Sequence, residues 1–203
     1  MAYERGLILI PARYDSHRLP GKALKKIASK TMIRRTYERS VLSGIPAMVV
    51  TDDKRIVDEC FRYDIPVDII TEPCKTGTDR VARCAAKTTK ADWFINVQGD
   101  MPDVSFDMIV STLHQLKHYS VSTMYTNMED GYNHARNNDL NCVKMIVDSS
   151  RRQRALWFGR GLAYGNHHLG IYGYHRKALE EYSSLEVPKE EAIEGLEQLR
   201  WLK

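Results

Sequence analysis

The chain has 203 residues, an apolar fraction of 43%, a charged fraction of 28% and a formal net charge of +4, which are ordinary values for a globular protein long enough to bury a real core. The positive excess is spread out, with no basic block or aromatic-interleaved stripe, so nothing in it calls for a nucleic-acid partner. No apolar run reaches membrane-spanning length, and the opening MAYERGLILI is too charged and too short for a signal peptide. The four cysteines (Cys60, Cys74, Cys84, Cys142) show no CxxC or zinc spacing, the pattern of free thiols in a reducing cytoplasm.

The first predicted element is a strand over Leu7–Ile10, an apolar run of the kind covered on both faces in a parallel sheet. Pro11 ends it. The stretch LIPARYDSHRLPGK, Leu9–Lys22, then brings Arg13, Arg18, Lys22, the Ser16 hydroxyl and a flexible Gly21 into one turn. A nucleoside triphosphate needs such a loop, with fixed cations to spread its charge and backbone N–H groups free to approach the phosphates. A solvated basic loop would read the same way, and no GxxxxGK[ST] is present. A helix follows over Thr31–Ser43, ending at Gly44, then a strand over Ala47–Val50 that runs into Thr51-Asp52-Asp53, read as the N-cap of the next helix, Ile56–Tyr63. Val67–Ile70 is a third strand. Thr76-Gly77-Thr78-Asp79-Arg80 opens a helix over Thr78–Lys87, and such a start serves equally as a capping motif or as N–H donors for phosphate or a base carbonyl. Trp93–Val97 is a fourth strand, ending in Gln98-Gly99-Asp100. A carboxylate there suits Mg²⁺ held between protein and triphosphate, although a turn aspartate looks no different in sequence. Strand–helix alternation at this spacing predicts an α/β fold with a doubly wound, mainly parallel sheet, its polar residues gathered past the carboxyl ends of the strands.

The second half predicts a mixed, partly antiparallel arrangement. After a helix over Phe106–His118 come strands over Val121–Met128, Val143–Val147, Ala155–Phe158 and His168–Tyr174, separated by polar loops at Asn133–Asn141 and Ser149–Arg154. Two helices close the chain, Arg176–Ser184 and Lys189–Lys203, the latter opened by Pro188. Arg160 can pair bidentately with a carboxylate. His167 and His168 are adjacent, so in a strand they face opposite ways and cannot chelate one metal. Glu194, Glu197, Gln198 and Arg200 fall on the last helix, where a solvated face is the plain expectation, and Glu194 and Glu197 would share that face. Neither GxSxG nor HExxH occurs, which favours direct transfer over a covalent intermediate.

Taken in order, IPARYDSHRLPGK, VVTDD, TGTDR, INVQGD, ALWFGR, HLGIYGY and EGLEQLRWL closely resemble the CMP-Kdo synthetase family, the 3-deoxy-manno-octulosonate (Kdo) cytidylyltransferases. The resemblance spans nearly the whole chain. It implies one nucleotidyltransferase domain over 1–203, with a nucleotide-binding half (1–104) and a half for sugar binding and dimerisation (105–203). It also implies a cytoplasmic homodimer in lipopolysaccharide biosynthesis, making CMP-Kdo and pyrophosphate from CTP and Kdo with Mg²⁺. By the same resemblance Pro11, Ala12, Arg13, Ser16, Lys22, Gly77, Thr78, Arg80 and Gln98 bind the nucleotide, and Asp100 binds the metal. Arg13, Lys22 and Asp100 carry the catalysis, and Gln98, Arg160, His168, Glu197 and Gln198 face the acidic sugar.

Three departures qualify that expectation. Family chains run on past EQLRWL through a GVDTPED-like segment whose first aspartate is a second metal ligand, and residues 1–203 do not contain it. The expectation is therefore a compact form without that ligand, and whether Glu194 or Glu197 replaces it stays open. The stretch from Arg160 to His168 is shorter than the family's, and GDEP reads Gly99-Asp100-Met101-Pro102. Two other readings stay open: transfer to another acidic sugar, such as a sialic acid or a modified octulosonate, and a nucleotide-binding homologue with little catalysis.

Overall fold

The computed structural model describes residues 5–16, 19–126, 139–150 and 153–202. Arg18, the predicted strand beyond Thr126 and most of the predicted Asn133–Asn141 loop lie outside them. The chain forms two compact units, Met1–Ser122 with Ile171–Ser183, and Thr123–Gly170 with Ser184–Lys203.

In the first unit, β1 (Gly6–Pro11) leads through a 3₁₀ turn (Lys22–Leu24) and a short hairpin, β2 (Lys26–Ile27) and β3 (Lys30–Thr31), into α1 (Met32–Val41). Then come β4 (Ala47–Thr51), α2 (Lys54–Arg62), β5 (Val67–Ile69), α3 (Gly77–Lys87), β6 (Trp93–Asn96) and α4 (Phe106–Gln115). The four longer strands pair in parallel in the order β5-β4-β1-β6. Ile8, Leu9 and Ile10 are fully buried, as a strand covered on both faces requires. Side chains fix where the helices begin. Asp53 caps α2 by accepting from Arg55 N–H, Thr76 and Asp79 form a reciprocal capping box on α3, and Ser105 caps α4. Strand order reverses at β1, since β4 and β5 continue to one side of it and β6 joins on the other. In open α/β sheets such a switch point, at the carboxyl ends of the strands, is where ligands bind.

After α4 the chain continues as β7 (Val121–Thr126), β8 (Lys144–Asp148), β9 (Arg154–Gly159) and β10 (Asn166–His175). The end of β10 belongs to the first unit, where Tyr172 to His175 pair antiparallel with Asn96 to Trp93, and it runs directly into α5 (Arg176–Tyr182). In the second unit β8 and β9 pair antiparallel with an irregularity between Ile146 and Val147, and the start of β10 pairs with β8. The core there is Met145, Phe158, Leu196 and Leu199, flanked by Trp157 and Leu202.

Two local expectations are corrected. The predicted helix Lys189–Lys203 is two pieces, α6 (Lys189–Glu194) and a 3₁₀ turn (Glu197–Leu202). Gly195 sits between them in the left-handed region at φ 63, and its N–H closes on the Glu191 carbonyl at 2.8 Å, a glycine helix stop. Glu194 and Glu197 therefore do not share a helix face. Nothing in the sequence announces the hairpin at Lys26–Thr31, which turns through Ala28 at φ 55 with neither Gly nor Asn to signal it.

Candidate active site

The site in the first unit is built from the carboxyl ends of β1, β4 and β6. Pro11 ends β1, and its carbonyl accepts Gly99 N–H at 3.2 Å, while Ala12 N–H donates to Val50 at 2.9 Å. A Cβ at Gly99 would stand 2.9 Å from the Pro11 oxygen and 3.2 Å from the Ala12 Cβ, so only glycine lets these two loops approach so closely. The loop after β1 returns on itself through Gly21, in the left-handed region at φ 67, whose N–H donates to the Tyr14 carbonyl at 3.0 Å. Arg13 is exposed and Ser16 half-buried. Lys22 Nζ then reaches Asp100 Oδ2 at 2.6 Å, across the β1–β6 switch point. The pair is one-third to one-half exposed, and such pairs contribute only ~0–1 kcal/mol, so a ligand can exchange them at little cost. Gln98, half-buried between β6 and Asp100, donates from Nε2 to Asn96 Oδ1 at 3.3 Å.

A second group stands at the start of α3. Gly77 opens the helix, and Thr78, fully buried, places its hydroxyl 3.2 Å from that of Tyr174. Arg80 is buried and pairs through Nη2 with Asp52 at the end of β4; among the described residues its Nε has no hydrogen-bond partner. A buried guanidinium with an unmet donor is costly unless an acceptor completes it. In the sequence Asp52 reads only as part of a capping triplet. Asp53 takes the cap, which leaves Asp52 for Arg80, a pairing that local spacing does not encode.

In the second unit the predicted residues are more deeply tied into the fold. Arg160 donates its guanidinium N–H groups to the carbonyls of Glu194, Leu140 and Asn141 at 3.2–3.3 Å, and its backbone N–H to Glu194 Oε2 at 3.1 Å. Glu194 is thus engaged with Arg160. The Arg160 carbonyl accepts from Lys144 Nζ at 2.9 Å, and that lysine is only 1% exposed, a buried cation the sequence did not flag. His168 is buried, with Nε2 2.9 Å from Thr123 Oγ1 and its ring edge-on to Phe158. Burial, helped by the charge of His167, lowers its pKa to about 3, so it is a neutral imidazole at physiological pH. Glu197 is half-buried and Gln198 buried on the 3₁₀ turn, which the buried Arg200–Glu191 pair, 2.8 Å from Nε to Oε2, ties back to α6. Cys60 and Cys84 are pushed up to about 12 by burial and are poor nucleophiles.

A parallel sheet with a basic loop and a lysine–carboxylate pair at its switch point is the arrangement of an α/β ligand-binding fold, and comparison with known proteins gives its class, a nucleotidyltransferase. The chain belongs to the cytidylyltransferase family, whose model matches residues 7–203. It is 36% identical, over 96% of its length and 83% of the relative's, to a 3-deoxy-manno-octulosonate cytidylyltransferase of Fusobacterium nucleatum subsp. nucleatum. It is 35% identical, over 97% of its length and 85% of the relative's, to an 8-amino-3,8-dideoxy-manno-octulosonate cytidylyltransferase of Shewanella halifaxensis. Among solved structures it is similar to a CMP:2-keto-3-deoxy-manno-octonic acid synthetase complexed with CTP, with a TM-score of 0.85 and 33% identity over 98% of this chain and 85% of that one. Among the described residues no helix is long and apolar enough to cross a membrane.

Proposed function

We propose that the chain transfers the cytidylyl group of CTP to the anomeric hydroxyl of an acidic octulosonate, Kdo first among them, releasing pyrophosphate. The observation that carries this reading is the Lys22–Asp100 pair at the β1–β6 switch point, in a chain so similar throughout to a Kdo cytidylyltransferase. Arg13, Ser16 and Lys22 bind the triphosphate, and the cations stabilise the charge that grows on the departing pyrophosphate. The Pro11–Ala12 backbone, Gly77, Thr78 and Arg80 hold the rest of the nucleotide, the unmet Nε of Arg80 supplying a donor for it. Gln98 orients both substrates. Arg160, His168, Glu197 and Gln198 serve the sugar, with His168 acting as a neutral hydrogen-bonding group. The hydroxyl attacks the α-phosphorus in line, and positioning with charge neutralisation does most of the work.

Asp100 offers a hard oxygen donor at half exposure, and among the described residues no group of three or more His, Cys, Asp and Glu converges. Such a donor set fits Mg²⁺, which is held by one or two carboxylates together with substrate phosphates. When bound, the ion supplies charge neutralisation and a lowered pKa for the attacking hydroxyl. Among the described residues no disulfide is present. The homodimer rests on the family resemblance.

The test is pyrophosphate release by the purified protein given CTP, Kdo and Mg²⁺, beside Asp100→Ala. Release that needs both Kdo and Asp100 is expected. The similarity to an enzyme for the 8-amino sugar favours one second reading, a modified octulosonate as acceptor. Running both sugars side by side separates the two. CTP binding without release for either sugar would leave only a nucleotide-binding protein.

A further inference from the structure

The loop that carries Arg13, Ser16 and Lys22 is held from a neighbouring strand–helix unit as well as from its own ends. The guanidinium of Arg55, in the first turn of α2, lies over the Tyr14 ring with its carbon 3.2 Å from the ring centroid. Its orientation is set by Asp53, whose Oδ1 accepts from both the backbone N–H and Nε of Arg55 at 2.9 Å, while Oδ2 accepts from Nη2 at 2.6 Å. One carboxylate thus starts the helix and aims the guanidinium, whose edge it holds while the face is left for the ring. Only a planar fork can do both. The Tyr14 ring also meets Gly21, where a Cβ would stand 3.1 Å from the ring, and the Tyr14 carbonyl accepts Gly21 N–H at 3.0 Å. Lys22 follows immediately.

We infer that Arg55 is a positioning residue for triphosphate binding, acting through Tyr14 on the loop after β1. The inference rests on the reading of that loop as the triphosphate site. A loop fixed before the ligand arrives loses less conformational entropy on binding. The benefit therefore belongs to nucleotide affinity and not to the sugar or to the chemical step.

The experiment combines calorimetric titration with CTP and steady-state kinetics on wild type, R55M, R55K, Y14L and the R55M/Y14L double variant, with melting temperatures alongside. R55M and Y14L are each expected to raise Kd and KM for CTP roughly three- to fivefold, the fold-change an exposed cation–π contact is worth. The turnover number and the KM for the sugar should stay within about twofold, and the double variant should bind no worse than the poorer single, because both remove one contact. R55K keeps the charge without the fork and should recover less than half of the loss. Full recovery by R55K, normal affinity in Y14L, or multiplicative losses in the double variant would each overturn the clamp and leave Arg55 as a distant charge. A wild type that binds no CTP would instead overturn the triphosphate reading beneath it. If R55M does not fold, R55K and Y14L decide the matter by themselves.

Discussion

The two units differ in how their polar residues are used. In the first, the fold is carried by buried apolar strands and capped helices; Thr78 and Arg80 are buried in α3, but the groups at the switch point stand apart from the core. Lys22 and Asp100 meet as a half-exposed pair, and Arg13 is exposed. In the second unit the polar residues are themselves structural. Arg160 ties together three backbone carbonyls, Lys144 and His168 are buried, and Arg200 with Glu191 links α6 to the 3₁₀ turn across Gly195. Arg13 and the Lys22–Asp100 pair can therefore be changed without unfolding the protein, whereas the candidate sugar residues cannot be changed without testing stability as well.

The sharpest way to break this contrast is Arg200→Met. It leaves Glu191 buried and unpaired, which costs about 3–5 kcal/mol and, for a chain of this size, lowers the melting temperature by about 10 °C. A shift under about 3 °C would mean the pair is not structural. Asp100→Ala is the opposite case. With Asp100 in its proposed role of holding Mg²⁺, its removal should lower turnover about 10²–10³-fold, while melting moves less than about 2 °C, because the lost ion pair is half exposed. Calorimetric melting and pyrophosphate release on the same preparations check both.

The contrast also decides what could be read from the sequence. The runs Leu7–Ile10 and Trp93–Val97 announce fully buried parallel strands because covered strands are apolar throughout, and the groups beyond them fall where the sheet puts ligands. The second unit's wiring is non-local and was not legible. The partners of Arg160 lie 19, 20 and 34 residues away, and Lys144 shows nothing in its neighbours that predicts its burial. The helix break was hidden because Ile193, Leu196 and Leu199 keep helical spacing through Gly195, although Ile193 is 77% exposed and plays no part in the core.

His168 sharpens the contrast along pH. Its folded pKa is about 3 against ~6.5 unfolded, so between those values the unfolded chain binds the extra proton. Stability from this group is fully present above about pH 6.5 and is lost as pH falls, by about 2 kcal/mol at pH 5. His168→Gln removes the titration, so the difference in stability between the variant and wild type should narrow or reverse by that amount from pH 7.5 to 5. A pH-independent difference would mean that the imidazole is not buried neutral.

The smallest effect compares two glycines in one conformation. Gly44 and Gly195 lie in the left-handed region at φ 75 and φ 63, and a Cβ at either would meet nothing within 4 Å. Alanine at each should therefore cost a similar ~1–2 kcal/mol of backbone strain. The consequences part after that. Gly44 closes α1 in the first unit, away from any proposed ligand contact, so Gly44→Ala should leave both KM values unchanged. Gly195 turns the chain into the segment carrying Glu197 and Gln198, and relief of its strain would pull α6 onward into the helix that the side-chain spacing favours. Gly195→Ala should raise the KM for the sugar several-fold with the KM for CTP unaltered. Equal behaviour of the two variants in steady-state kinetics would mean that stability and sugar binding are no more coupled in the second unit than in the first.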